Sequence, residues 1–195
     1  WEWAHYAPFE GPSMIAGLLK GLGYKVTLLD QRDTYDPADL ANKVGDFDII
    51  GFSTFGDSYN YIKKACEIVK QSRPDVPIVL GGPLISSHPE LILKTVQADY
   101  AVVGEGELTL TEFMDWFTKN KFARAIEDIP GLVWKDSQGV IFKNKTREQI
   151  QDLDVTPFQD LSVWERFKPD NVIAELLRSY GRGCIGSWTF YYLGC

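Results

Sequence analysis

Short apolar runs alternate with helical patterns over residues 11–119, and this alternation is the main structural signal in the chain. Four runs are almost continuously apolar and lie between turn residues, as expected for parallel strands covered by helices on both faces. These predicted strands are residues 25–29, 48–52, 77–80 and 100–103. A further strand is expected within residues 1–6, where the pattern is short and atypical.

The spacing of apolar residues between these strands predicts helices at residues 12–22, 37–44, 58–71, 89–96 and 108–119. Asp36 is the expected N-cap of the second helix, with Pro37 at its first position, and Gly23 is expected to close the first helix. The order of elements predicts an α/β fold. It is doubly wound and flavodoxin-like or Rossmann-like, with a five-stranded parallel sheet and helices on both faces.

The pattern changes after residue 120. Residues 131–135 and 140–143 flank Asp136-Ser137-Gln138-Gly139, which predicts a β-hairpin around a tight turn. An aperiodic linker follows at residues 152–168, and residues 172–177 are a candidate strand. We therefore expect an α/β domain over residues 1–122, a hairpin and linker over 123–170, and a distinct final segment over 171–195.

Composition and charge restrict the function classes. The chain has 195 residues, 45% of them hydrophobic, which suits one domain with an extension. Its formal net charge of -7 and the lack of a Lys/Arg cluster argue against nucleic-acid and anionic-membrane surfaces. No membrane-spanning stretch or signal peptide is evident, so a cytoplasmic protein is expected. The three cysteines make no disulfide framework, and Cys66 is expected to be a buried residue of a helix.

Three loops are the candidate binding site. Because the carboxyl ends of parallel strands meet at one edge of a sheet, the residues just after each strand are where ligands bind. These residues are Ser53, Thr54 and Phe55 after the second run, Gly81, Gly82 and Pro83 after the third, and Gly104, Glu105, Gly106 and Glu107 after the fourth. Each loop alone is typical of an ordinary turn. Together, their glycines and hydroxyls predict a broad platform for a large, flat ligand.

Other ligands fit poorly. The stretch from Gly104 to Thr109 lacks the third glycine of a dinucleotide fingerprint and follows the last strand, so NAD binding is not expected. The Gly-Lys-Ser/Thr of a P-loop is absent. Ser53 stands where a phosphorylated response regulator would carry its acceptor aspartate, which argues against that class.

A family resemblance rests on the order of elements from residue 11 to residue 117 and on four markers. The markers are Gly23-Tyr24-Lys25-Val26, Gly81-Gly82-Pro83, Val103-Gly104-Glu105-Gly106-Glu107 and, after the hairpin, Arg182-Gly183-Cys184. This series resembles the cobalamin (vitamin B12) binding domain that precedes a radical S-adenosylmethionine (SAM) barrel. The resemblance implies a B12-dependent radical SAM enzyme such as a methyltransferase or a Mg-protoporphyrin monomethyl ester cyclase. It implies that this chain binds cobalamin and does not itself catalyse.

The resemblance also bears on the cobalt ligand. In methionine-synthase-like domains an Asp-x-His-x-x-Gly motif supplies a histidine to cobalt. Aligning Gly11 with the motif glycine puts Tyr6 at the aspartate and Pro8 at the histidine. Since proline cannot ligate cobalt, the resemblance implies cobalamin held with its nucleotide tail detached and no protein ligand below the metal. His5 is interpreted as a strand-end residue, and His88 as a capping or solvated one.

In that arrangement the implied contacts fall into three groups. Ala7, Pro8, Phe9 and Glu10 line the lower corrin face, and Tyr6 and Gly11 beside them belong to the same cofactor-binding set. Ser53 to Phe55 and Gly81 to Pro83 hold the nucleotide tail, and Gly104 to Glu107 flank the corrin amides. Glu105 and Glu107 would accept hydrogen bonds from amide groups. Two other hypotheses remain open, a flavodoxin-like interaction or regulatory domain without a cofactor and a flavin-binding domain.

The final segment resembles a degenerate iron-sulfur motif. The radical SAM pattern has three cysteines, but only Cys184 is present here, and Trp188 and Tyr191 occupy the other two positions. Neither side chain replaces a thiolate, so no [4Fe-4S] cluster is expected in this chain. Residues 171–195 are interpreted as the start of a truncated barrel, and the cluster and SAM as properties of an intact parent enzyme.

Overall fold

The computed structural model describes residues 10–29, 36–45, 47–118, 124–151, 160 and 162. The chain forms two compact units, Trp1–Arg32 with Pro157–Cys195, and Asp33–Thr156. The predicted strands at residues 1–6 and 172–177, and the Cys184 segment, lie outside the described residues.

In the first unit, helix α1 (Glu10–Gly21) is followed by a chain that turns back on it. The N–H groups of Gly23 and Tyr24 donate to carbonyls of the last helical turn at 2.9 and 3.0 Å, which closes the helix where the sequence predicts. Residues 24–29 alternate between exposed and half-buried, and Val26 and Leu28 pack against Ala16. Residues 25–29 pair with no strand among the described residues, so the strand expected there stays a prediction.

The second unit contains a five-stranded sheet in the order β1-β2-β3-β4-β5. Its strands are β1 (Ile50–Ser53), β2 (Ile78–Gly81), β3 (Tyr100–Val102), β4 (Leu132–Lys135) and β5 (Ile141–Lys143). The first three are parallel, and β4 and β5 are antiparallel to their neighbours. The α/β class is confirmed, but the described sheet is mixed, because β4 pairs with β3, β5 pairs with β4, and both extend the sheet in antiparallel orientation.

The helices of this unit follow the predicted pattern, with one addition. They are α2 (Leu40–Lys43), α3 (Tyr59–Ser72), α4 (Pro83–Ser87), α5 (Pro89–Thr95) and α6 (Gly106–Thr118), with 3-10 turns at Pro37–Asp39, Gly56–Ser58 and Ile126–Asp128. The Asp36 N-cap is confirmed, since its carboxylate accepts a 2.9 Å hydrogen bond from the Ala38 N–H. Helix α4 has no counterpart in the sequence prediction. No helix of the described ranges is long and apolar enough to cross a membrane.

Helices cover both faces of the sheet, as predicted. On one face, Ile78 and Leu80 join a buried cluster that includes Ile62 and Val69 of α3. Residues on the other face point toward α6, where the rings of Tyr100 and Phe113 lie 4.8 Å apart. Strand residues alternate between these faces, so an almost continuous apolar run is needed to fill both.

Charged groups fasten the edge of the sheet at the start of β2 and β3. Asp99 forms a 2.8 Å ion pair with Lys70 and accepts a 2.7 Å hydrogen bond from the Ile78 N–H. Lys70 also donates to the Val76 carbonyl at 2.8 Å. One carboxylate therefore ties α3 to two neighbouring strands.

Cys66 is fully buried in α3, as the sequence predicts. Burial, with a smaller contribution from the Asp99 carboxylate, raises the pKa of its thiol to about 12. The neutral thiol is the folded form, and it packs as a small apolar side chain.

The buried thiol makes stability depend on pH in the alkaline range. In the unfolded chain the thiol ionises at its lower ordinary pKa, so the stabilisation is complete below that value and is lost as pH rises toward 12. We expect the free energy of unfolding to fall by up to about 1.4 kcal/mol per pH unit in this window. Denaturant unfolding of wild type and Cys66→Ala across this range measures the effect. An equal alkaline decline in both proteins would contradict it.

Candidate functional site

The structure brings the three predicted loops together at one edge of the sheet. Ser53 at the end of β1 pairs with Gly81 at the end of β2, and β3 lies on the other side of β2. The loops that follow these parallel strands are therefore neighbours. Of the other predicted site residues, Glu10 and Gly11 begin α1 in the first unit, and Tyr6, Ala7, Pro8 and Phe9 lie outside the described residues.

Thr54 fastens the first loop to the second. Its side chain is fully buried, and both its N–H and its hydroxyl donate to the Gly81 carbonyl, at 2.8 and 2.6 Å. The single hydroxyl proton is used inside the protein. Thr54 therefore shapes the site and does not present its hydroxyl to a ligand.

Gly82 allows the second loop to lie directly on the first. Its φ is +97°, and a Cβ there would stand 2.6 Å from the Thr54 carbonyl oxygen. A side chain would displace backbone, so only glycine fits. At Gly81, in contrast, an added Cβ would meet no heavy atom within 4 Å. The two glycines thus differ in role, since one packs on the protein's own backbone and the other opens outward.

Ser86 joins the second loop to the third. Its hydroxyl accepts a 3.0 Å hydrogen bond from the Gly104 N–H and donates to the Gly82 carbonyl at 3.2 Å. Sequence reasoning missed this residue, because it lies in the short helix α4, which the apolar pattern does not predict. A serine three residues after Gly-Gly-Pro was the available signal.

The two acidic residues of the third loop have different surroundings. Glu105 is half-buried and accepts a 2.9 Å hydrogen bond from the Ile150 N–H. Glu107 is only 7% exposed and lies in the first turn of α6, where the helix dipole favours a carboxylate. One oxygen of Glu105 is therefore occupied by the protein, and Glu107 is largely withdrawn from the surface.

The remaining surface at this edge is made of small, neutral groups. Ser53, Pro83 and Gly104 are exposed, and Phe55 is half-buried. Phe55 begins a closed turn, since its N–H donates to the Ser58 hydroxyl at 2.9 Å. The described residues contain no group of three or more potential metal ligands, and the predicted Cys184 remnant lies outside them. Such a surface suits contact with a large polar ligand through backbone and hydroxyl groups.

Gly82→Ala should destabilise the fold more than a matched glycine substitution. Gly139 also has a positive φ, +81°, but an added Cβ there meets nothing within 4 Å. Gly139→Ala should therefore cost about 1–2 kcal/mol of unfolding free energy, from backbone strain alone. Gly82→Ala should cost about 1–3 kcal/mol more, from overpacking against Thr54. Denaturant unfolding measures both, and equal costs would refute the close approach.

The chain is similar to a known protein family and to several curated proteins. The family model described as B12 binding domain matches residues 10–114, a range that contains all three loops. An uncharacterized methyltransferase of Pyrococcus horikoshii is 31% identical over 152 residues, which are 75% of this chain and 32% of the relative. The anaerobic magnesium-protoporphyrin IX monomethyl ester cyclase of Rubrivivax gelatinosus is 24% identical over 178 residues, 87% of this chain and 32% of the relative.

A solved structure supports the fold independently. The cobalamin-dependent SAM radical enzyme OxsB, with aqua-cobalamin and S-adenosylmethionine bound, aligns with a TM-score of 0.64 at 20% identity. The alignment covers 80% of this chain and 22% of that one. At this identity the likeness establishes the fold. The chain spans about a third of the length of the curated relatives it matches.

Proposed function

Because this chain belongs to the B12-binding domain family, we propose that it is the cobalamin-binding module of a B12-dependent radical SAM enzyme, a methyltransferase or a cyclase. The proposal rests on one observation: the residues that match the family model include all three loops, and these loops adjoin one another at the ends of paired strands. The comparisons give no support to the cofactor-free or flavin-binding hypotheses.

The residues at the site fit this cofactor. Corrin is a large, flat ring with neutral amide side chains, so it needs open backbone and hydrogen-bonding groups more than charge. Gly81 and Gly104 leave open space where a side chain would stand, and Ser53 is exposed beside them. We assign the contacts on the described edge to Ser53, Phe55, Gly81, Pro83 and Gly104.

Other residues of the predicted set have a supporting role in this proposal. Thr54 and Gly82 hold the loops in shape, because the Thr54 hydroxyl donates to the Gly81 carbonyl and the Gly82 backbone packs directly against that of Thr54. Glu107 is buried at the start of α6 and completes the helix terminus. The family resemblance assigns the lower corrin face to Ala7, Pro8, Phe9 and Glu10.

The module's own work is binding and orientation. Cobalamin supplies a cobalt centre that carries a methyl group or takes part in radical chemistry. This chain's residues fix the ring by backbone and hydroxyl contacts along three strand ends that are rigidly paired. Catalysis is assigned to a radical SAM domain that acts with it, in the cytoplasm.

Cobalamin uptake and one matched pair of variants test the site. Wild type should retain hydroxocobalamin after desalting in a 1:1 ratio, read from its visible spectrum. Gly81→Val should weaken binding by about tenfold or more, because its side chain enters the open space and a β-branched residue suits a strand end. Ser137→Val adds a similar side chain in the exposed β4–β5 turn and should bind like wild type.

Thermal unfolding of the cofactor-free variants provides the control for folding. Equal cobalamin affinity of Gly81→Val and wild type would show that cobalamin does not bind at this edge of the sheet. Retention of a flavin in place of cobalamin would refute the proposed cofactor.

The proposal also predicts that no histidine ligates cobalt. The family resemblance puts Pro8 at the ligand position, and His88 is exposed at the start of α5. Electron paramagnetic resonance of the protein reduced to the cob(II)alamin form should therefore lack nitrogen splitting from a lower ligand. Wild type, His5→Ala and His88→Ala should give the same spectrum. Nitrogen splitting that disappears in one variant would identify that histidine as a ligand.

A further inference from the structure

The segment of residues 144–151, directly after β5, runs past the start of α6 without regular secondary structure. Polar contacts hold it at its beginning. The Asn144 amide donates to the carbonyls of Ile126 and Ile129 at 2.7 and 2.9 Å and accepts from the Trp134 indole at 3.2 Å. The Lys145 carbonyl accepts from the Gly131 N–H at 2.7 Å. The segment therefore leaves the sheet in a fixed direction.

Arg147 is the main anchor in the middle of the segment. Its guanidinium donates to the Thr109 hydroxyl at 2.8 Å and to the Pro130 carbonyl at 3.2 Å. It also forms a 2.9 Å ion pair with Glu112 of α6, and its side chain is only 14% exposed. A partly buried arginine that engages three groups fixes orientation better than an exposed ion pair does.

The local backbone is shaped to admit this anchor. Thr109 is fully buried, and its hydroxyl donates to the Pro130 carbonyl at 2.9 Å. Gly131 has φ +80°, and a Cβ there would stand 2.7 Å from the Thr109 hydroxyl and 3.4 Å from the Arg147 Cβ. A side chain at residue 131 would thus occupy the space where Arg147 meets α6.

The far end of the segment is tied to the candidate site. The Ile150 N–H donates to the Glu105 carboxylate at 2.9 Å, and Glu105 belongs to the third loop. The same loop is joined to the second loop through Ser86, and the second to the first through Thr54. A continuous series of hydrogen bonds therefore connects the 144–151 segment with all three loops.

Among the described residues, few other hydrogen bonds or ion pairs hold the 145–151 part of the segment. Lys145, Thr146, Glu148 and Gln149 are exposed, and the segment borders an open depression of about 450 Å³ with Leu108 and Pro130. Segments with little apolar burial open at low free-energy cost. The contacts of Arg147 and Glu105 should therefore decide whether this segment stays in place.

We propose that Arg147 and Glu105 are positioning residues that couple the 144–151 segment to the cobalamin loop at Gly104–Glu107, a proposal that rests on the proposed function. When the segment is ordered, the Ile150 N–H holds the Glu105 carboxylate, and this contact also fixes the backbone of the Gly104–Glu107 loop. Cobalamin bound to the ordered loop favours the ordered segment to the same extent, because coupling between two equilibria is reciprocal. Glu105 thus acts through the segment and not as a direct acceptor from the corrin amides.

Amide hydrogen exchange of the cofactor-free chain tests the anchor. Arg147→Ala and Glu105→Ala should each raise exchange of the Ile150 amide by about tenfold or more, whereas Glu105→Gln keeps an acceptor and should remain near wild type. Arg124→Ala is the matched control. Arg124 pairs with the same Glu112 carboxylate at 2.7 Å but lies outside the segment and is 44% exposed, so its removal should leave the Ile150 amide unchanged.

Cobalamin affinity of the same variants tests the coupling. Arg147→Ala should raise the dissociation constant by about threefold to tenfold, and bound cobalamin should slow Ile150 exchange in wild type by a similar factor. Arg147→Lys, which keeps the charge but not the planar fork, serves as a second variant if Arg147→Ala unfolds, with an intermediate effect expected.

Two results would overturn the proposal. One is an open 144–151 segment in Arg147→Ala with unchanged cobalamin affinity. The other is equally fast Ile150 exchange in Arg124→Ala and Arg147→Ala. A wild-type chain that takes up no cobalamin would instead refute the proposed function and the coupling together, while exchange in the cofactor-free chain still decides the anchor.

Discussion

The contact between the Gly82 backbone and Thr54 is the constraint on which the site depends. Two strand ends can carry adjoining loops only if the chain leaving β2 passes very close to the chain leaving β1. A positive φ at Gly82 and the double hydrogen bond from Thr54 to Gly81 make this approach possible. Helix α4 then starts at Pro83, and its Ser86 reaches the third loop. Each later element of the edge is positioned relative to that contact.

The site therefore separates residues that make the surface from residues that hold it. Ser53 is exposed, and Gly81 and Gly104 leave open space where a side chain would stand. The hydroxyls of Thr54 and Ser86 instead donate to the carbonyls of Gly81 and Gly82, inside the protein. This separation explains why so few charged groups are needed at the edge. A neutral ligand of large area gains most from a rigid surface, because little conformational entropy is then lost on binding.

Periodicity predicted three strands and most helices, because strands covered on both faces are apolar at almost every position. Periodicity did not predict which strands pair with one another. Residues 25–29 have strand-like alternation but no described partner. The predicted hairpin joins the sheet because β4 pairs with β3, and no local pattern encodes that pairing. The glycine loops were visible as motifs. Ser86 and Arg147 were not, since their roles arise from contacts across 18 and 38 residues of sequence.

The antiparallel strands have a consequence for association between molecules. They cover the side of β3 that would otherwise offer a row of unpaired backbone groups, and they leave β5, of only three residues, at that boundary of the described sheet. Its last residue, Lys143, forms an ion pair with Glu90, with 3.3 Å between the ammonium nitrogen and a carboxylate oxygen. A short edge carrying a charge is a poor template for strand addition by another chain. The hairpin thus protects this border of the sheet against aggregation.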